Sequence, residues 1–237
     1  MNLDVDFLLR TFALALRGVP VTLGLSFSAL LLAAPAGLVF ALIRMHRLRI
    51  LNQLTAVWVS FVRGTPIILQ ILIVYSMLPS LVNSAAVRFG WSVRVFDISP
   101  FWYALIVFTL NTAAVLSEVF RSAILTVERG QLEAALAAGL SPLQAWTRIV
   151  LPQAFLVALP NLSNTAVNLI KGTSLAFLMT LQDVTAIARI EASYGYNYIE
   201  AYIDIFIIYI AMGVAVQYFF SFIEHRLGSF RHPPSFR

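Results

Sequence analysis

Ionisable residues punctuate this chain at wide intervals, and the stretches between them are almost wholly apolar. A helix needs about 20 such residues to cross the hydrocarbon core of a bilayer. Five uncharged intervals qualify: 18–43, 64–87, 98–117, 149–170 and 205–223. Adjusted to their flanking residues, they predict spans of about 18–43, 64–80, 98–120, 149–171 and 203–224, with a loop after Pro79. The uncharged stretch 172–182 is too short to span. It predicts a re-entrant or interfacial piece, tolerated at membrane depth only where protein or water satisfies its backbone. The chain reads as one all-α integral membrane domain, residues 1–237.

Arginines set the sidedness. The segments after the first, third and fifth spans hold Arg44, Arg47, Arg49, Arg121, Arg129, Arg148, Arg226, Arg231 and Arg237, nine against five in the other segments, with Arg63 at the edge of span two counted in neither. The positive-inside rule then predicts an outer N-terminus and an inner C-terminus, with residues 128–148 in the cytoplasm. The segments 80–99 and 188–198 fall toward the outer face. Tyr194, Tyr196 and Tyr198 there suit either an interfacial aromatic belt or contact with a substrate-delivering receptor.

Composition agrees with a bilayer protein. With 60% hydrophobic and 11% charged residues and a mean hydropathy of +0.86, the chain has too little polar surface for a soluble domain of this size. Its net charge of +5 comes from Arg scattered near the ends of apolar runs rather than gathered in a patch, which argues against nucleic acid as a partner. Without Cys there is no disulfide framework and no thiolate site. The N-terminal MNLDVDFLLR is acidic where a signal peptide needs positive charge, so it is expected to be retained. The segment 231–237, with Pro233 and Pro234, reads as a frayed end.

Residues 133–152, EAALAAGLSPLQAWTRIVLP, form the most informative polar segment. Residues 131–138 are rich in Ala and Leu, strong helix formers whose small side chains let a helix sit deep in a partner's cleft. Gly139 suits the left-handed position after a helix end, and Ser141-Pro142 supplies an N-cap and a first-turn proline. The segment therefore predicts a helix, a corner and a second short helix.

Other positions carry candidate chemistry. In span four, interrupted by Pro152 and Pro160, the residues Asn161, Asn164, Asn168 and Lys171 recur at steps of three and four, and Thr165 shares their face. Such a stripe is costly in lipid unless it bonds to other helices or lines a solute path. Glu118 and Arg121, three apart, are placed to pair. Arg63-Gly64-Thr65-Pro66 predicts a discontinuous helix in span two. His46, His225 and His232 are scattered, with no metal-binding spacing, and no serine-hydrolase elbow or nucleotide-binding loop occurs. Any ATP-driven step would therefore need another chain to bind the nucleotide.

With these residues in view, the chain resembles the membrane subunit of polar amino acid ABC importers, the binding-protein-dependent permeases. The likeness runs from first span to last. It is carried by the EAA-type order Glu133-Ala134-Ala135 with Gly139, Ile149, Leu151 and Pro152. It includes Gly18-Val19-Pro20-Val21-Thr22-Leu23, Val62-Arg63-Gly64-Thr65-Pro66 and Ser117-Glu118-Val119-Phe120-Arg121. Leu151-Pro152-Gln153-Ala154, Leu159-Pro160 with Ser163-Asn164, and Lys171-Gly172-Thr173-Ser174-Leu175 complete it.

The resemblance implies a five-span permease in a bacterial inner (plasma) membrane. It would pair with a second permease chain, identical or sister, with two ATPase subunits below and an extracytoplasmic solute-binding protein above. ATP and Mg would be held by the ATPase, and no cofactor by this chain. It implies ATPase coupling through Gln131, Glu133, Ala134, Ala135, Gly139 and Pro142. A substrate path would run along Asn161, Thr165, Asn168, Lys171, Thr173 and Ser174, and structural or gating roles would fall to Arg63, Pro66, Glu118, Arg121 and Asp183. Relatives often carry an acid where this chain has Thr165, Glu where it has Asp183, and Gly near Thr180; the first departure argues against a cationic solute. A permease for an opine or another amino acid derivative is the alternative within transport. A passive channel would not need the EAA-type loop, and a membrane enzyme would need a buried nucleophile and base that the sequence does not offer.

Overall fold

The computed structural model describes residues 3–46, 49–92 and 95–228. Arg47, Arg231 and Arg237 of the sidedness count, and the whole segment 231–237, lie outside the described residues. The protein is helical throughout these, with no strand among them. Helix α1 (Val5–Ala15) passes through a 3-10 turn into α2 (Val19–Met45), followed by α3 (Arg49–Gly64), α4 (Ile67–Phe89) and α5 (Pro100–Thr126). The short α6 (Arg129–Ala137) and α7 (Pro142–Ala145) precede α8 (Leu151–Thr173), α9 (Val184–Gly195) and α10 (Tyr198–Gly228). Residues 5–45, 67–89, 100–126 and 198–227 are long and apolar enough to cross a membrane. Helix α8 is as long as α4 but stands apart from these, because its amides and Lys171 dilute its apolar character.

Helix α5 is the centre of the bundle and touches α2, α3, α4 and α8. Its closest neighbour is α2, where Leu25, Ala29, Ala33, Gly37 and Ala41 recur every four residues and are all buried. A Cβ on Gly37 would stand only 2.8 Å from Leu116 Cβ and 3.2 Å from the Ala113 carbonyl oxygen. In lipid, where apolar surface gains little by leaving the solvent, such close van der Waals contact between small residues is what holds helices together.

Span two is discontinuous, as the Arg63–Pro66 motif predicts. Pro66 has no N–H, so the Val62 carbonyl loses its donor four residues on. The Gln70 side chain takes that place: its Nε2 donates to Val62 O at 2.8 Å, to Thr65 Oγ1 at 2.9 Å and to Thr65 O at 3.2 Å. Its Oε1 accepts from Asn111 Nδ2 of α5 at 3.1 Å, which ties the break to the central helix.

Two sequence expectations need correcting. The loop expected after Pro79 is helix: α4 continues through Pro79 and stops only at Gly90, whose φ is +66°. One lost N–H does not end a helix when the following residues include good formers such as Leu81, Ala85 and Ala86. Nor do Pro152 and Pro160 break span four. Helix α7, a π-turn over Trp146–Val150 and α8 follow one another without a gap, and Leu151 N bonds to Trp146 O, five residues back. The π-turn takes up the mismatch just before Pro152, which sits in the first turn of α8, while Pro160 lies inside it.

The stretch after α8 is surrounded by protein. A 3-10 turn, Ala176–Met179, has Ala176 and Met179 fully buried and packs against α4 and α5. Thr180 follows at φ +58°, with its hydroxyl 3.0 Å from that of Tyr75 on α4.

The start of α9 presses on the start of α2 at Gly18, where an added Cβ would collide with the backbone of Asp183 and Val184, lying 2.8 Å from Asp183 O. Gly18→Ala is therefore expected to lower the thermal unfolding temperature of the detergent-solubilised protein by several degrees, as overpacking that costs about 1–3 kcal/mol would. Gly24→Ala, which meets nothing within 4 Å, should leave it near or slightly above the wild-type value. A scan of both variants checks this.

Candidate functional site

The corner between α6 and α7 is built entirely by local chemistry. Leu140 N bonds to Ala135 O at 3.1 Å and Gly139 N to Leu136 O at 3.0 Å, the paired bonds that close a helix through a left-handed residue. Gly139 supplies that residue at φ +86°. Ser141 then opens α7 with a reciprocal cap: its Oγ accepts from Gln144 N at 3.4 Å, and Gln144 Oε1 accepts from Ser141 N at 3.0 Å. Pro142 occupies the first turn. Of the predicted coupling residues, Gln131, Glu133, Ala134, Gly139 and Pro142 are exposed, whereas Ala135 is buried and anchors α6 to the body. Leu136 and Leu143, 42% and 74% exposed, leave apolar surface beside them.

Glu118 does more than pair with Arg121. Its Oε2 accepts from Arg121 Nε at 3.1 Å and Nη2 at 2.9 Å, its Oε1 accepts from Arg44 of α2, and Arg63 of α3 lies 3.9 Å away. One carboxylate thus joins α2, α3 and α5. The pair was legible from spacing; Arg44 and Arg63 arrive only through packing. Lys171 takes no part in it.

The α8 stripe comes together as a surface. Asn161, Asn164, Asn168 and Lys171 are all exposed, and Thr165, partly exposed, bonds only to the Asn161 carbonyl at 2.7 Å. The opposite face, including Ala158, Leu162, Ala166, Leu169 and Ile170, is buried within the bundle. Among the described residues, none of the four exposed side chains bonds to another helix. Lys171 edges a cavity of about 380 Å³ between α8 and α10, walled by Val167, Phe206, Ile210 and Gly213. Thr173 lies elsewhere, fully buried with its hydroxyl on Ile170 O at 2.6 Å, and Ser174 is half-buried.

Asp183 is fully buried and caps α9, accepting from Ala186 N at 2.8 Å and from the Tyr209 hydroxyl of α10 at 3.1 Å. Thr185 Oγ1 lies 3.3 Å from that hydroxyl, and Thr22 Oγ1 accepts from Val184 N at 3.5 Å. Three helices, α2, α9 and α10, meet there, and the contacts of Tyr209 and Thr22 were not foreseen. Asp204 was also missed: it is fully buried in α10 with neither carboxyl oxygen hydrogen-bonded among the described residues. An acid inside an apolar run is itself a signal of function. Among the described residues no three His, Asp or Glu side chains gather in a way that could hold a metal ion.

Comparison with known proteins agrees with this architecture. Residues 33–229 match the family described as binding-protein-dependent transport system inner membrane component. The chain is 36% identical to the L-cystine transport system permease protein TcyL of Bacillus subtilis (strain 168), over 96% of this chain and 91% of that protein. It is 34% identical to the probable amino-acid permease protein YxeN of the same organism, over 88% of each. It is also 34% identical to the octopine transport system permease protein OccM of Rhizobium radiobacter, over 96% of this chain and 91% of that protein. Among solved structures, a chain of an amino acid ABC transporter crystallised with histidines superposes with a TM-score of 0.78 at 28% identity, covering 95% of this chain and all of that one. The inward-facing MetNI methionine ABC transporter shares the fold, with a TM-score of 0.67 at 19% identity, covering 90% of this chain and 96% of that one. The chain belongs to the family of binding-protein-dependent transport system inner membrane components, the permease subunits of ABC importers.

Proposed function

We propose that this permease translocates an amino acid delivered by an extracytoplasmic binding protein, driven by two ATPase subunits that hold ATP and Mg and grip the α6–α7 corner. It crosses the inner membrane five times, α8 included, with its N-terminus outside. The observation that carries this reading is the α8 stripe: a row of amides and one ammonium turned out of the subunit, where lipid would leave it unsatisfied. A second permease chain, identical or sister, would cover that row, and the solute would pass between them. The names of the relatives support an amino acid; the octopine permease keeps an amino acid derivative as a second reading. Arg63, Pro66, Glu118, Arg121 and Asp183 hold the helices that must move together.

The coupling role is tested by Gly139→Val and Glu133→Ala. A β-branched residue at φ +86° is strained and should distort the corner, so co-purification with the ATPase and solute uptake are expected to fall by about tenfold. Wild-type values for both variants, in correctly inserted protein, would end the assignment.

The solute path is tested by uptake of cationic, neutral and acidic amino acids at matched expression. Thr165→Glu should favour cationic solutes by about tenfold, roughly 1.4 kcal/mol, because a carboxylate in a site of low dielectric attracts an ammonium. Lys171→Gln should weaken transport of every amino acid whose carboxylate it meets. Unchanged preferences in these variants and in Asn168→Ala would leave the stripe a packing surface alone.

Sidedness is read by cysteine labelling in a chain that has no native Cys. A membrane-impermeant thiol reagent applied to intact cells should label Ser84→Cys and spare Ser141→Cys; the reverse pattern would invert the orientation.

A further inference from the structure

A cavity of about 520 Å³ lies at the root of the α6–α7 corner, between the ends of α2 and α5 and the π-turn. Arg44, Arg121, Arg129, Glu128, Trp146 and Leu125 contribute to its wall. The charges around it do not balance. Arg44, Arg121 and Arg63 all lean on the single carboxylate of Glu118, and Glu128 is the one acid in the wall itself. Four guanidinium groups thus stand against two carboxylates. Among the described residues Arg44 spends only Nη1 on Glu118, Arg121 Nη1 has no acceptor, and the Arg129 side chain has no partner. The remaining donors of Arg44 and Arg121 are oriented by side chains already pinned through Glu118, a preorganised fork of the kind that suits phosphate oxygens, and Arg129 adds an uncommitted guanidinium beside them.

The cavity is also lopsided. Beside the arginines the cavity wall is apolar: Met45 and the buried Ile124 and Val150 line it, and Leu125, 60% exposed, carries that apolar flank out to the surface of the bundle. A small soluble anion has no use for that flank, whereas an amphiphile carries an acyl chain along it and a phosphate into the arginines. We propose that this cavity binds a phosphate group, as the headgroup of an anionic phospholipid. The proposal rests on the membrane placement given above only in requiring that this end of the bundle reach a lipid surface, where basic pockets between helices collect anionic lipid. Arg129 and Leu132 belong to α6, so an occupied cavity braces the helix on which the ATPase is proposed to close.

The test uses the full chain, solubilised in a neutral detergent and titrated with short-chain phosphatidylglycerol, phosphatidylcholine of equal chain length, or inorganic phosphate. Bound lipid is counted by native mass spectrometry and stability followed by thermal unfolding. Phosphatidylglycerol should bind about tenfold more tightly than phosphatidylcholine, and Arg129→Gln should remove about that factor, the loss expected for one charge-assisted contact. Arg129→Glu should remove more. Arg148→Gln, exposed but outside the cavity wall, should leave the preference intact and reports on general surface charge. Equal binding of the two lipids by the wild type, or an equal loss in Arg129→Gln and Arg148→Gln, would overturn the site. Inorganic phosphate that displaces phosphatidylglycerol at equal concentration would overturn the lipid assignment. None of these readouts needs an ATPase, so they fail or succeed independently of the coupling role.

Discussion

The close contact of α2 with α5 is the constraint on which the rest of the structure depends. Small residues at every fourth position from Ala29 to Ala41 of α2 allow it, and at Gly37 the two helices lie too close for an added Cβ beside Leu116. Because α5 also meets α3, α4 and α8, its placement against α2 fixes where those helices run. Glu118 reinforces the same choice electrostatically: it sits on α5 and draws Arg44 from α2 and Arg63 from α3 to one point. Packing and charge therefore select the same arrangement, a consistency that a well-specified fold requires.

Lipid imposes a second constraint, that every backbone group find a partner. The breaks in this chain obey it by different devices. At Pro66 the Gln70 amide replaces the missing donor; before Pro152 a π-turn shifts the bonding pattern; after α8 the backbone turns through Thr180 and is recaptured by the cap at Asp183. Each break is thereby stiffened, and each lies beside a region assigned to movement or passage. Thr22, Asp183 and Tyr209 bring α2, α9 and α10 to one point, so a displacement of α10 would be felt at the start of α2.

Apart from the buried Asp204, the prominent polar groups that this bundle does not satisfy internally are turned outward. The α8 stripe points out of one flank, the α6–α7 corner out of one end, and the arginine cavity lies at its root. Such an exposed stripe would be costly against lipid, and its exposure fits the second permease chain proposed above.

The sequence by itself determined the helical class, the corner and the broken second span, because each rests on local rules: apolar run length, the left-handed glycine at 139, the Ser141 cap and the proline at 66. It also determined which residues of α8 share a face, since helical periodicity is local. It misjudged Pro79 and the prolines of span four, where the cost of one lost hydrogen bond is smaller than the helical preference of the residues around it. Tertiary structure alone decided which way the stripe faces, that Thr173 lies buried away from it, and that Glu118 gathers three arginines from three helices. It alone brought Tyr209 to Asp183 and Gln70 to Asn111. Those outcomes depend on how closely helices approach across long separations in the chain, and that distance is set by the small residues of α2 only after α5 has packed against them.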